Sequence, residues 1–331
     1  MKLIAETAWH HDGDFVFYSN LIDHILRSSV DVIKLHILVD LDKYMDIHHS
    51  AYEFLKERMF SKAQWIEILE KISISGKELM VLVNDTDAVD LVAAYNPLLV
   101  EVHSVALNNP HLLNKIDKTF DSRAKIVLGV GGSSLYEIEN AASQFSNKQI
   151  VLMFGFQNYP TRYEDVNFNK IRRVMQAFPE YEFGYADHTA WDLKENVLIT
   201  LMGAAVGMDY IEKHVTIKYG EQRTDWSAAV SFEMLEEIKK GMNILEQCNG
   251  DGLLALNTSE QQYCKPGIMK QIGIANCDIP EGEIFDMNSV SFLRSGLLNG
   301  MQQLDLWAMQ GKVLTKSLTK GDVISSTHFG C

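Results

Sequence analysis

The chain lacks any run of basic residues, and acidic groups outnumber cationic ones, 44 against 30, for a formal net charge of -14. That balance argues against nucleic acid and anionic membrane surfaces as partners. Long apolar runs are also missing, so no membrane-spanning segment is expected. The first residues, Met1-Lys2-Leu3-Ile4-Ala5-Glu6, enter a strand-like pattern and do not read as a signal peptide. Cysteine is scarce: Cys248, Cys264, Cys277 and Cys331 show no CxxC spacing and read as free thiols of a cytoplasmic protein. No Gly-rich phosphate turn follows an early strand, which counts against an open doubly wound sheet. In so acidic a chain, any anionic substrate must be met by a few placed cations or by a metal.

What the sequence does have is alternation. Hydrophobic residues make up 47% of it, enough for a sizeable core. Short β-branched runs at 3–6, 31–38, 79–84, 98–104, 125–130, 150–156, 182–188 and 209–216 predict eight strands. Amphipathic stretches between and after them predict helices, with Ser61, Asp85 or Thr86, and Ser133 or Ser134 as caps. Eight strands each followed by a helix is the count of a (β/α)8 TIM barrel over residues 1–250. After Gly250 the chain turns polar, and 251–270 reads as a linker. Short β runs over 271–331 predict a small β-rich domain in which the turns around Gly282 and Gly321 echo each other.

In such a barrel the chemistry gathers at the C-terminal strand ends. Those ends carry Glu6, Lys34 with His36, Asn84 with Asp85, His103 with Ser104, Gly129 to Gly131, Gln157 with Tyr159, Asp187 with His188, and Glu212 with His214. Side chains two apart share a strand face, so Glu212 and His214 project together. Two neighbouring strands that each end in histidine can put two imidazoles on one ion. The ordinary alternative is a pair of strand-end histidines bonded to backbone. Lys34, in the apolar run Val32-Ile33-Lys34-Leu35, is costly to bury unless paired.

Several motifs, in order along the whole chain, resemble the sialic acid (N-acetylneuraminate) synthase family. Ala5-Glu6 with His11-Asp12-Gly13-Asp14 is similar to its opening motif, and Asp31-Val32-Ile33-Lys34 to its second-strand lysine motif. The stretch from Tyr159 to Asn167 resembles its most recognisable segment. Asp187-His188-Thr189 and Ile211-Glu212-Lys213-His214 resemble its two metal-histidine motifs. The C-terminal part is similar to the family's antifreeze-like (SAF) domain, with Arg294 where a sugar-contacting arginine is expected.

The resemblance implies condensation of phosphoenolpyruvate with an N-acyl hexosamine to a nine-carbon 2-keto-3-deoxy acid. It implies Mn²⁺ or Mg²⁺ held by His188 and His214, and a domain-swapped homodimer. It assigns catalysis to Glu6, Lys34 and Glu212, and substrate binding to Asn84, Gln157, Tyr159, Asp187, Asp225 and Arg294. Departures cluster where the donor is expected. Glu101-Val102-His103-Ser104 stands at the family's fourth-strand lysine, and Gly129, Val130 and Ala186 replace hydroxyl residues. The pattern leaves open whether Glu101 faces the barrel interior or points out of it with Val102 or His103 facing in, where a protonated His103 would restore some charge. Weakened phosphoenolpyruvate binding is therefore expected. The alternatives are a relative with another donor or acceptor, a keto-acid lyase, or a non-catalytic sugar-binding homodimer.

Overall fold

Strand pairing closes on itself. In the computed structural model, which describes residues 1–155 and 158–330, eight parallel strands form a closed barrel in sequence order. They are β1 (Lys2–Glu6), β2 (Val32–Ile37), β3 (Glu78–Val83), β4 (Leu99–Val102), β5 (Lys125–Gly129), β6 (Ile150–Phe154), β7 (Glu182–Asp187) and β8 (Tyr210–His214). β1 pairs with β2 on one side and β8 on the other, setting Glu6 opposite both Lys34 and His214. The (β/α)8 expectation therefore holds. The amphipathic stretch after β6 forms two helices, Tyr163–Val166 and Phe168–Ala177, because Asn167 takes a left-handed φ of 51° and caps the second.

The sequence pattern explains the layers. Strand residues facing outward, such as Leu35, Val100, Val102 and Ile211, join the apolar faces of the surrounding helices in one large buried cluster. Residues facing inward form a second cluster, with Ile4, Val32, Met80, Leu99, Val127, Val151 and Tyr210 plugging the barrel. Above that plug the inward positions become polar. Helix starts follow cap chemistry: Ser61 and Ser134 each complete a reciprocal capping box, and Asp85, not Thr86, accepts from Asp87 and Ala88. Gly155 closes β6 at φ 112°, where an added Cβ would lie 2.0 Å from the Ala186 carbonyl oxygen. Only glycine allows so close an approach between β6 and β7.

Contacts divide the chain into Met1–Gly250 and Asp251–Cys331. The second unit has its own core of Ile279, Phe285, Leu306, Leu314, Leu318 and Ile324. Two short antiparallel strands, β9 (Ile272–Ala275) and β10 (Val290–Leu293), form its sheet, and single bridges such as Ile279 to Leu318 add to it. The stretch read as a linker is built into this unit: Asn257 caps a helix at Thr258–Tyr263, and Gly267 accepts a backbone hydrogen bond from Ser295. The echoing turns both carry a left-handed glycine, Gly282 at φ 87° and Gly321 at φ 97°. No helix among the described residues is long and apolar enough to cross a membrane.

Candidate active site

The barrel mouth holds a cavity of about 340 Å³ lined by strand-end side chains. Alternation along each strand decides which residues reach it. Glu6, Lys34, Glu101 and Glu212 face inward at one level, with His36, Asn84, His103, His188 and His214 further toward the mouth. Tyr159 and Asp225 line the same space from loops.

Three of these groups converge as a metal site would require. Ligand atoms of Glu6, His188 and His214 all lie within 4.8 Å of one another, and all three residues are buried. The Nδ1 of His188 donates to the Ala186 carbonyl at 2.9 Å, because a carbonyl can only accept, so Nε2 carries the lone pair. Burial, then the neighbouring His214, pushes His188 down to about 3, so its imidazole is neutral at physiological pH, as a ligand must be. His214 Nε2 lies 3.1 Å from Glu6 Oε2. Two imidazoles and a carboxylate suit a divalent ion with open positions. Tyr159 lies over both rings and its hydroxyl donates to the Asp225 carbonyl oxygen. The left-handed Asp225, at φ 59°, uses its carboxylate to accept from the Trp9 amide at 3.0 Å.

Beneath the histidines lies an ionic cluster. Lys34 Nζ is 2.6 Å from Glu101, 2.9 Å from Glu212 and 3.3 Å from Glu6. Burial alone would raise Glu6, but Lys34, His214 and His36 outweigh it and hold the carboxyl well below the usual range. Glu212 goes the other way: burial and then the Glu6 carboxylate push it well above, so it keeps its proton. Its Oε2 is buried with no hydrogen-bond partner among the described residues. Two adjacent carboxyls driven apart in this way are suited to opposite halves of acid–base chemistry. Burial would lower Lys34, but Glu101, Glu212 and Glu6 hold it well above its usual value.

Several expectations change here. Lys34 does reach the cavity, but it is saturated by carboxyls. Glu101 faces inward and occupies the space where a second cation was sought. His103 also lines the cavity, yet burial pushes it down to about 4, so it supplies no charge at neutral pH. Asp187 is not a cavity residue: it is fully buried behind β7, bonded to Lys213 at 3.0 Å, Thr200 at 2.6 Å and Thr189. Its role is to pin the turn that presents His188. Asn84 lines the cavity, and its amide lies 3.4 Å from the Ile37 carbonyl. Gln157 lies outside the described residues. Arg294 belongs to the second unit, exposed, with Nε donating to the Ile268 carbonyl at 2.8 Å. His36, in contact with Glu6, was visible in sequence only as the residue two beyond Lys34.

Residues 31–253 match the NeuB family. The chain belongs to that family. Over 341 residues it is 25% identical to the N,N'-diacetyllegionaminic acid synthase of Campylobacter jejuni, covering 97% of this chain and 98% of that one. It is 24% identical to the N-acetylneuraminate-9-phosphate synthase of Homo sapiens, covering 97% of this chain and 90% of the other. The fold matches a crystal structure described as a putative spore coat polysaccharide biosynthesis protein E of Chromobacterium violaceum. That match has a TM-score of 0.82, 19% identity and 99% coverage of both chains.

Proposed function

We propose that this protein is a metal-dependent, carbon–carbon bond-forming synthase of the sialic acid type. It joins a three-carbon donor to the aldehyde carbon of an N-acyl hexosamine, giving a nine-carbon 2-keto-3-deoxy acid. The observation that carries the reading is the convergence of Glu6, His188 and His214 directly above a carboxyl pair split into base and acid. Family membership and the names of two synthases covering nearly the whole chain support it.

Each residue then has a task set by its surroundings. Glu6, His188 and His214 would hold Mn²⁺ or Mg²⁺, which supplies Lewis acidity for an aldehyde. Glu212, neutral and with one oxygen lacking a protein partner, donates a proton or hydrogen bond to a developing alkoxide. Tyr159 and Asp225 frame the outer part of the cavity, where sugar hydroxyls would lie. Asn84 and Ser104 add polar groups to the wall. Arg294, on a second unit of the antifreeze-like kind, would reach the acyl group from a partner subunit in a homodimer. Phosphoenolpyruvate is the donor that the resemblance implies.

The test is product formation with Mg²⁺ or Mn²⁺, a panel of N-acyl hexosamines, and either phosphoenolpyruvate or pyruvate, read by mass spectrometry. A nine-carbon keto acid that disappears in His188→Ala and His214→Ala is expected. Its absence with every sugar and both donors would overturn the reading.

A further inference from the structure

Between β2 and the helix at Lys62–Ser73 the chain makes a long excursion, residues 38–61, with only short helical turns at Leu41–Lys43 and Tyr52–Lys56. Connections in compact domains are usually much shorter, and long ones commonly serve a site. This one is built around an apolar cluster of its own, in which Leu38, Leu41 and Tyr52 are buried together. It is also tied down. The Asp85 carboxylate accepts from the Val39 amide at 2.7 Å, and the Tyr52 hydroxyl donates to Asp42 at 2.5 Å. Two further rings rest on the cluster, Tyr44 from the excursion and Trp9 from the loop after β1. Both are half-buried, and both line the cavity at the barrel mouth. The Trp9 backbone is fixed as well, its amide held by the Asp225 carboxylate at 3.0 Å. The cavity thus has an apolar wall whose rings are supported from behind.

Charge on this side of the cavity points the same way. Among the described residues, Lys34 is the only lysine or arginine lining the cavity, and it lies at the inner end among three carboxyls. What it and a bound metal offer is claimed by the donor, which brings a carboxylate and a phosphate of its own. The basic residues carried by the loops after β2 and β8 are paired with acids: Lys43 with Asp87, Arg58 with Asp12, and Arg223 with Glu221. A second phosphate, brought by the acceptor, would meet rings and carboxyls and no fixed cation on this wall.

We infer that the acceptor is an unphosphorylated N-acyl hexosamine whose terminal carbon is a methyl group, and that Trp9 and Tyr44 select it. This rests on the synthase reading above and adds the far end of the sugar to it. Glu6, His188 and His214 gather at the strand ends, whereas Trp9 and Tyr44 stand on loops beyond them. An aldehyde carbon at the first group sends the opposite end of the sugar toward the second. A methyl group there gains contact with ring faces and gives up only unfavourable hydration. A hydroxymethyl group gives up water for faces that return no hydrogen bond, and a phosphate ester gives up more.

Three acceptors that differ only at the terminal carbon, as methyl, hydroxymethyl or phosphate ester, test this with phosphoenolpyruvate and Mg²⁺. In wild-type protein kcat/KM should be about tenfold or more higher for the methyl sugar than for the hydroxymethyl sugar, and lowest for the ester. Trp9→Ala and Tyr44→Ala should each shrink the first ratio to about threefold or less. Tyr44→Phe, which keeps the ring and removes the hydroxyl, should leave the ratio unchanged. The ratio is insensitive to the amount of folded protein, because a loss of active molecules lowers both rates alike. Wild-type protein that uses the hydroxymethyl sugar or the ester as well as the methyl sugar overturns the inference and leaves the synthase reading intact. So does a methyl preference that survives both alanine variants, or one that Tyr44→Phe abolishes. Absence of product from all three also overturns it, and the synthase reading falls only if the wider panel of sugars fails too.

Discussion

Lys34 on β2 and Glu101 on β4 meet across the barrel interior, Nζ to Oε2 at 2.6 Å, with the side chains of both at most 4% exposed. The two strands are not neighbours, since β3 lies between them. Their pairing is therefore a product of barrel curvature and of inward orientation at both positions. It turns the lysine from an outstretched cation into the centre of a compensated cluster.

Replacing that lysine tests its role in the unliganded protein. Lys34→Met leaves Glu6, Glu101 and Glu212 facing one another without a counter-charge. Stability should fall by about 3–5 kcal/mol, the usual cost of removing one partner from a buried ionic group. Urea denaturation of the metal-free protein measures it. A lysine held in reserve for substrate would instead give a neutral or stabilising change.

Glu6 and Glu212 should respond differently to the same isosteric change. Glu6 is ionised against Lys34, His36 and His214, so Glu6→Gln removes a charge that three partners use. The expected loss is about 3 kcal/mol or more at neutral pH. Glu212 is already neutral, so Glu212→Gln should cost less than about 1.5 kcal/mol while abolishing product formation. Equal destabilisation by the two variants would contradict the assignment of base and acid.

Metal binding should depend on both histidines. Calorimetry with Mn²⁺ should show saturable binding to wild type and at least about a tenfold loss in His188→Ala and in His214→Ala, with circular dichroism unchanged. Unchanged affinity in both variants would remove the metal centre.

Acid should destabilise the fold over a defined window. Burial lowers His10 and His11 to about 3 and His103 to about 4, against an ordinary value of 6.5. These groups stay neutral when folded and take up protons when unfolded, so stability falls as pH drops below about 6.5 and continues falling to about 4. Well inside that window each contributes about 1.4 kcal/mol per pH unit. Glu212, raised when folded, opposes the trend: its contribution grows as pH falls from its folded pKa toward its ordinary value. The urea midpoint at pH 5 should lie clearly below that at pH 7.

Asp187 should behave as a structural residue. Asp187→Ala leaves the fully buried Lys213 ammonium without its carboxylate, and a loss of about 3–5 kcal/mol is expected. In whatever protein folds, KM for the sugar should be unchanged while metal affinity falls, because the turn carrying His188 loses its anchor. A raised KM with normal stability would return Asp187 to the substrate.

The barrel, its eight strands and the placing of His188 and His214 at neighbouring strand ends were legible in the sequence because they rest on local signals. Short β-branched runs, Ser and Asp caps, and an i, i+2 pairing such as Glu212 with His214 need no knowledge of distant residues. The direction of Glu101 was not legible. In Leu99-Val100-Glu101-Val102 both strand faces are buried, so apolarity marks neither face and alternation has no visible phase. Asp187 was misplaced for the same reason: one residue decides whether a strand-end group enters the cavity or lies behind it, and only the closed register decides that. The protonation of Glu212 and the saturation of Lys34 lay further still from the sequence. They depend on four buried side chains from β1, β2, β4 and β8 meeting at one level, where each charge sets the state of the next.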